Sequence, residues 1–193
     1  MKKLILTLLM VTASLAAFAQ GKITFRNDSS HLLYFASYMK AGDAGLANQP
    51  ISSSPTPSGV TFLIDLYGGA TAGSMTLQTT TTISATPGLF GPLNFTSPNL
   101  PGGVVATFQV KVRESTYATA ELSQMGGGYW GFSPIFTMTP SSTIAFNSIV
   151  NPGGTALSTW AAGNILVPGY IPEPSSLALT GLGISALLLR RKH

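Results

Sequence analysis

Few residues in this 193-residue chain can do covalent or acid–base chemistry, and their spacing limits what that chemistry could be. Cysteine is absent, which excludes thiol catalysis, cysteine metal sites and disulfides. Histidine occurs at His31 and His193 only, at opposite ends of the chain, so no histidine pair is placed to hold a metal. A Ser-His-Asp arrangement would have to use His31. That residue stands beside a strand-like run with no Gly-x-Ser-x-Gly element, so a surface or strand-end position is expected for it.

Carboxylates are the remaining candidates. Between the two apolar ends lie Asp28, Asp43, Asp65, Glu114 and Glu121, from which a glycoside hydrolase would draw its pair. Their contexts point to solvation instead: Asp28 in an Asn-Asp-Ser-Ser turn, Asp43 in a glycine loop, Asp65 on the polar face of a strand, Glu114 at a strand end and Glu121 on a helix surface. The Asp-x-Asp-x-Asp-Gly calcium loop is missing, and no glycine run is followed by Lys-Ser or Lys-Thr as a phosphate loop requires. No metal or cofactor is expected. Tyr129 and Trp130, inside the run Gly126-Gly127-Gly128-Tyr129-Trp130-Gly131-Phe132, offer flat rings that can stack on sugars or else plug the end of a core; Trp160 reads as core. Asn27-Asp28-Ser29, Asn94-Phe95-Thr96, the tetrad Thr79 to Thr82 and the Pro-rich stretch 52–58 could carry sugar, but read more simply as turns and a Thr-rich edge strand.

Strands must position these residues. Positions 104, 106, 108, 110 and 112 are apolar while 107, 109, 111 and 113 are polar, the period of a half-buried strand. Residues 60–67 place Val60, Phe62, Ile64 and Leu66 on one face, with Leu63 and Tyr67 making the other partly apolar. Weaker strands are expected at 22–26, 32–38, 75–83, 134–138 and 143–146. Clusters of Gly, Pro, Asn and Ser separate them, at 41–43, 52–59, 68–69, 87–88, 98–103, 126–128 and 152–154. One short helix fits 115–125, with Ala118, Leu122 and Met125 inward, Glu121 outward and the three glycines ending it. The pattern predicts an all-β domain over 20–170, an antiparallel β-sandwich of jelly-roll or Ig-like type.

The ends differ in kind. Met1-Lys2-Lys3, an apolar stretch and Ala17-Phe18-Ala19 form the three parts of a signal peptide over 1–19, with cleavage between Ala19 and Gln20 set by the small residues Ala17 and Ala19. Its partners would be the Sec translocon and signal peptidase. At the other end, over 171–193, Pro172-Glu173-Pro174 precedes fifteen uncharged residues and the cations Arg190, Arg191 and Lys192. A helix of that length covers about 22 Å against a hydrocarbon core of about 30 Å, a marginal transmembrane span. Lys2 and Lys3 before the first apolar run and Arg190 to Lys192 after the last keep both clusters cytoplasmic and place everything between them outside. Five of the ten Lys and Arg residues fall in these ends, leaving Lys22, Arg26, Lys40, Lys111 and Arg113 against five acids. The domain itself is neutral, and the positive formal charge gives no ground for nucleic-acid binding.

Pro172-Glu173-Pro174, then two serines, an apolar helix and an Arg-rich end resembles the PEP-CTERM sorting signal of Gram-negative bacteria. The resemblance implies recognition by an exosortase, an integral-membrane cysteine transpeptidase. Export through the inner membrane, transient anchoring and release or transfer to the cell surface would follow, with Pro172, Glu173 and Pro174 as substrate residues. A permanent single-pass anchor is the alternative. Phe108-Gln109-Val110-Lys111-Val112-Arg113, then Tyr117-Ala118, then Gly131-Phe132-Ser133 and Phe136 is similar to exported PEP-CTERM proteins of the Verrucomicrobia and Planctomycetes, which run strand, short helix, Gly-rich loop, strand. Glu114 departs from them, since an aromatic often follows the arginine there. The expected function is a non-enzymatic cell-surface or extracellular-matrix protein associated with exopolysaccharide or biofilm. The alternatives are a carbohydrate-binding module using Tyr129 and Trp130, with extracellular polysaccharide as its partner, and an extracellular hydrolase with a carboxylate pair.

Overall fold

The computed structural model describes residues 20–40, 42–53, 57, 59–151 and 157–169. The expected signal peptide, cleavage residues Ala17 and Ala19, sorting motif Pro172, Glu173 and Pro174, and stop cations Arg190, Arg191 and Lys192 lie outside them, whereas Gln20 lies inside. Among the described residues no helix is long and apolar enough to cross a membrane.

The elements are β1 (Gln20–Phe25), β2 (Leu33–Phe35), β3 (Phe62–Gly69), β4 (Thr76–Thr82), β5 (Leu93–Pro101), β6 (Ala106–Glu114), α1 (Ala120–Met125), β7 (Trp130–Phe132), β8 (Phe136–Met138), β9 (Asn147–Ser148) and β10 (Ile165–Val167). The described residues are thus mostly β with one short α-helix. Its largest sheet runs β4-β3-β6-β7, with β8 also paired to β6. A second sheet runs β5-β1-β9, and β10 pairs with β2. The expectation of a wholly antiparallel fold needs correction at two places, because β1 with β9 and β10 with β2 run parallel.

β6 follows the alternation in its sequence. Ala106, Phe108, Val110 and Val112 are buried, and the residues between them are half-buried on the opposite face. β3 lies antiparallel beside it, so Ile64 faces Val112 and Leu66 faces Val110. These side chains join Ile23 and Phe25 of β1 in one core, each contributing about 1.5–3 kcal/mol by burial. Gly68 permits the β3–β6 contact to continue past Phe108, whose ring edge would stand 2.7 Å from a Cβ there. Phe108 stacks on Phe136, and Phe136 on Trp160 at 5.0 Å between ring centres, so Trp160 is core as its sequence context indicates.

Other elements depart from expectation for local reasons. β5 coincides partly with the Pro98 turn cluster, and a strand carrying Pro98 and Pro101 is tolerated because β5 is an edge, bonded to β1 only. The stretch 143–146 stays irregular and pairing begins at Asn147. The helix is shorter than its pattern and turned the other way. Thr119 caps it by accepting from the Leu122 N–H, Ala120 and Ser123 are its buried residues, and Leu122 and Met125 are exposed. β4 is the expected Thr-rich edge. At its bulge against Tyr67, Gln78 accepts from Ser97 of β5 at 2.7 Å and donates to the Gly68 carbonyl at 3.0 Å, tying the two larger sheets together.

Asp65 is the largest correction. It was expected on a solvated polar face, yet its exposure is 0%. Arg113, beside Lys111 on β6, donates from Nε to Asp65 Oδ2 at 2.6 Å and from an Nη to the Tyr117 carbonyl at 2.6 Å, while Thr80 of β4 donates to Asp65 Oδ1 at 2.6 Å. Three strands thus meet at one buried carboxylate. Removing one partner of such a pair leaves an uncompensated charge, so Arg113→Ala is expected to cost about 3–5 kcal/mol in urea unfolding of the 20–170 segment. Leu77→Ala, on the exposed part of β4, is expected to cost less than about 0.5 kcal/mol.

Candidate functional site

Tyr129 and Trp130 were expected to act together, and the strand separates them. Successive side chains in extended backbone point to opposite faces. Tyr129 points into the core with 0% exposure, its ring edge-on to Phe35 at 5.9 Å and Phe62 at 5.7 Å. A buried ring cannot stack on a sugar, so the sugar-binding expectation is corrected for Tyr129, and the plug alternative describes it. Trp130 points to the outer face of the large sheet and remains half-buried. The glycine run that precedes them is anchored: Gly126 and Gly128 donate to the carbonyls of Leu122 and Ser123, and Tyr117 Oη donates to the Gly126 carbonyl. A Cβ on Gly128 would meet Ser123 Oγ and the Tyr117 ring at 2.6 Å, so this glycine is demanded by close packing.

The register assembles the outer face. Trp130 stands opposite Arg113 and Arg113 opposite Leu63; Phe132 stands opposite Lys111 and Lys111 opposite Asp65; Gln109 stands opposite Tyr67. Trp130 and Phe132 are 5.3 Å apart between ring centres. Lys111 Nζ lies 4.2 Å from the centre of the Tyr67 ring and 5.7 Å from that of Phe132, a cation held between two aromatic faces. Glu121, from α1, pairs with the same ammonium. Burial raises its carboxyl, but the hydrogen bond from Lys111, with backbone and Thr119 contacts, outweighs that and holds it below the usual range. Tyr67 is raised, by burial first and then by Asp65 and Glu121. Phe132, Lys111 and Tyr67 join Trp130 only through strand register. The alternation in 62–69, 106–114 and 130–132 was the available signal for them.

Every carboxylate between Gln20 and Gly169 has a protein partner. Asp28 accepts from His31 Nδ1 at 2.7 Å, Asp43 accepts from Tyr129 Oη, Asp65 is held by Arg113, Glu114 faces Lys40 at 3.7 Å, and Glu121 faces Lys111. Glu114, expected at a solvated strand end, is buried at 9% exposure. His31 stands just before β2, as a strand-end position requires, but not at the surface: it is 6% exposed, with Nε2 3.3 Å from the Trp160 carbonyl and its ring 4.5 Å from the Trp160 ring. Both ring nitrogens therefore face acceptors within the fold, and neither faces a hydroxyl nucleophile. Among the described residues no cluster of three His, Cys, Asp or Glu is placed to hold a metal ion. An open cleft of about 320 Å³ is lined by Val60, Thr61, Phe62, Thr82, Ile83 and two serines, none with a titratable side chain.

The described chain ends at Gly169, packed against the Tyr129 ring, with Lys40 Nζ 4.4 Å from the centre of that ring. Just beyond, residues 171–192 match the family model described as the PEP-CTERM protein-sorting motif. That match spans the expected motif, apolar run and basic end. No curated protein and no solved structure matches the chain.

Tyr129 joins Gly169 to the core and supplies a titration that reports on this packing. Burial, then the hydrogen bond to Asp43 and the charges of Asp43 and Glu114, raise its phenol far above the ordinary value of 10.0. A raised acid favours the folded state while protonated, so its contribution is complete below about pH 10 and is lost as pH rises beyond that. Tyr129→Phe is expected to lose about 1–2 kcal/mol at neutral pH, through the missing hydrogen bond to Asp43, and to show a shallower fall in stability above pH 10. Urea unfolding at pH 7 to 11, with tyrosinate absorbance, checks both effects.

Proposed function

We propose that this chain, which carries a PEP-CTERM sorting signal, is an exported, non-enzymatic component of the cell surface or extracellular matrix, held among exopolysaccharide after an exosortase has processed its tail. The single observation that carries the reading is the match of residues 171–192 to the sorting motif. Glu173, between two prolines that disfavour helix, supplies the carboxylate of the recognition element. In this reading the protein contributes a neutral β domain as a building block. The three-stranded and five-stranded sheets act as facing layers of a sandwich, supported by the single core to which β1, β3 and β6 contribute. Pairing of all five carboxylates with protein groups supports a structural use of these acids.

The half-buried row of Trp130 and Phe132 favours a second reading, a weak carbohydrate-binding surface on the outer face of the large sheet. Both Lys111 and Arg113 are neutralised there by Glu121 and Asp65, so the ligand would be an uncharged polysaccharide stacked on aromatic rings.

Two measurements test these readings. Intact-mass analysis of the protein from its native cell is expected to give a C-terminus within Pro172 to Pro174, and Glu173→Ala is expected to retain residues 177–193; an intact tail in the wild type would leave only a permanent anchor. For the second reading, pull-down of the 20–170 segment on insoluble neutral polysaccharides is expected to fall at least tenfold in Trp130→Ala while its unfolding midpoint stays within a few degrees. Equal retention of both proteins would remove the sugar surface.

A further inference from the structure

Each acid of the domain is engaged within the fold, and the Lys and Arg residues that engage them are Lys40, Lys111 and Arg113. Two cations are left over, Lys22 within β1 and Arg26 just after it. Ile23 and Phe25 are fully buried, so alternation turns Lys22, Thr24 and Arg26 to the opposite face of the β5-β1-β9 sheet. Register supplies their neighbours. Thr96 stands opposite Lys22, while Thr24 has Asn94 on one side and Ser148 on the other. Asn94 and Thr96 are exposed, and Thr24 donates to Asn94 Oδ1 at 2.6 Å. None of the described carboxylates pairs with either cation. Asp28, two residues beyond Arg26, is taken by the Ser30 N–H and His31. Lys22 Nζ lies 5.9 Å from the centre of the Phe146 ring. Arg26 is half-buried, and its Nε and the Ser148 Oγ are both shielded from solvent with no hydrogen-bond partner among the described residues. Shielded polar atoms without partners are uncommon in a folded protein, and two fall on this one face.

We propose that this face docks an acidic polysaccharide whose carboxylated sugars are separated by neutral ones. Two like charges with no counter-charge in the fold attract an anion, and the Arg26 guanidinium is the planar fork that takes a carboxylate through two parallel N–H bonds. Spacing chooses the kind of anion. Four strand positions separate Lys22 from Arg26, about 14 Å at about 3.4 Å per residue, too far for one small anion to bridge. A nucleic-acid duplex, with a charge about every 3.4 Å along each strand, would set uncompensated phosphates over the stretch between them. That stretch offers hydroxyls and an amide, from Thr24, Ser148, Asn94 and Thr96, which both donate to and accept from the hydroxyls of neutral sugars. A polysaccharide lying along β1 therefore meets cation, polar row and cation in turn. This surface belongs to a different sheet from Trp130 and takes a charged ligand where that one takes a neutral one. The inference deepens the reading of a domain held among exopolysaccharide.

The test measures binding of the full chain, in a neutral detergent, to immobilised hyaluronan, in which a carboxylated sugar alternates with a neutral one. Dextran and a DNA duplex are the comparison probes. Hyaluronan is expected to be bound in preference to both, and to be bound about tenfold more weakly as sodium chloride is raised from about 0.05 M to about 0.5 M. Lys22→Gln and Arg26→Gln are each expected to weaken binding about tenfold, with the unfolding midpoint within a few degrees of the wild type. Lys40→Gln, which removes a cation beside Glu114, is expected to bind as the wild type does. Wild-type affinity in a folded Lys22→Gln variant overturns the proposal even where Arg26→Gln fails to fold. An equal loss in Lys40→Gln overturns it in favour of net charge, and tighter binding to the DNA duplex overturns it in favour of nucleic acid. These outcomes are separate from that of the sorting reading, which is decided by the mass of the tail and not by any of these affinities.

Discussion

The pairing of β3 with β6 determines where the other parts of this molecule fall. Eight consecutive residue pairs fix the register, from Phe62 with Glu114 to Gly69 with Thr107. Because side chains alternate, that register sends Ile64, Leu66, Val110 and Val112 to one side, and Asp65, Lys111 and Arg113 to the other. A slip of one residue would turn the apolar set away from the core and the charged set into it. The same strand then receives β7 and β8 on its other edge, so the position of Trp130, the stacking of Phe136 and the anchor for α1 all depend on it.

An exported domain without cysteine must obtain its stability from such packing. Here the outer face of the sheet is made into a second, polar layer of structure. Asp65 collects donors from β4 and β6, Arg113 continues to the Tyr117 carbonyl, and Lys111 passes between two rings to Glu121 on the helix. A buried ion pair adds little net stability by itself, since desolvation offsets most of the attraction, but it penalises any arrangement that leaves one partner alone. Its effect is on specificity: it ties β4, β6 and the loop ahead of α1 to one register.

Two regions of the described domain differ in what they expose. Near the start of β6 Val104 and Val105 are exposed, while beside its last residue, Glu114, stand Lys40 and Tyr129, the latter bonded to Asp43 and packed on Gly169. Tyr129 is at once core side chain, hydrogen-bond donor and floor for Gly169.

What the sequence determined by itself was local. Alternation in 104–113 and 60–67 identified the two central strands, the Thr tetrad identified an edge, and the glycines after Met125 ended the helix, because period, branching and backbone freedom act over neighbouring residues. The sorting motif was legible for the same reason: prolines, a carboxylate, an apolar run and cations follow one another in a line. The sequence could not assign Pro98 and Pro101 to a strand, since only an edge position makes them acceptable, nor choose the helix face, which depends on what α1 rests against. It placed Asp65 in solvent because alternation says only that a residue faces away from the core. Whether that other face is covered was decided by Arg113 and Thr80, 48 and 15 positions away, and Tyr129 and Trp130 were parted by the strand that register with β6 imposed. Distant pairing, and the burial that follows from it, belongs to the tertiary structure alone.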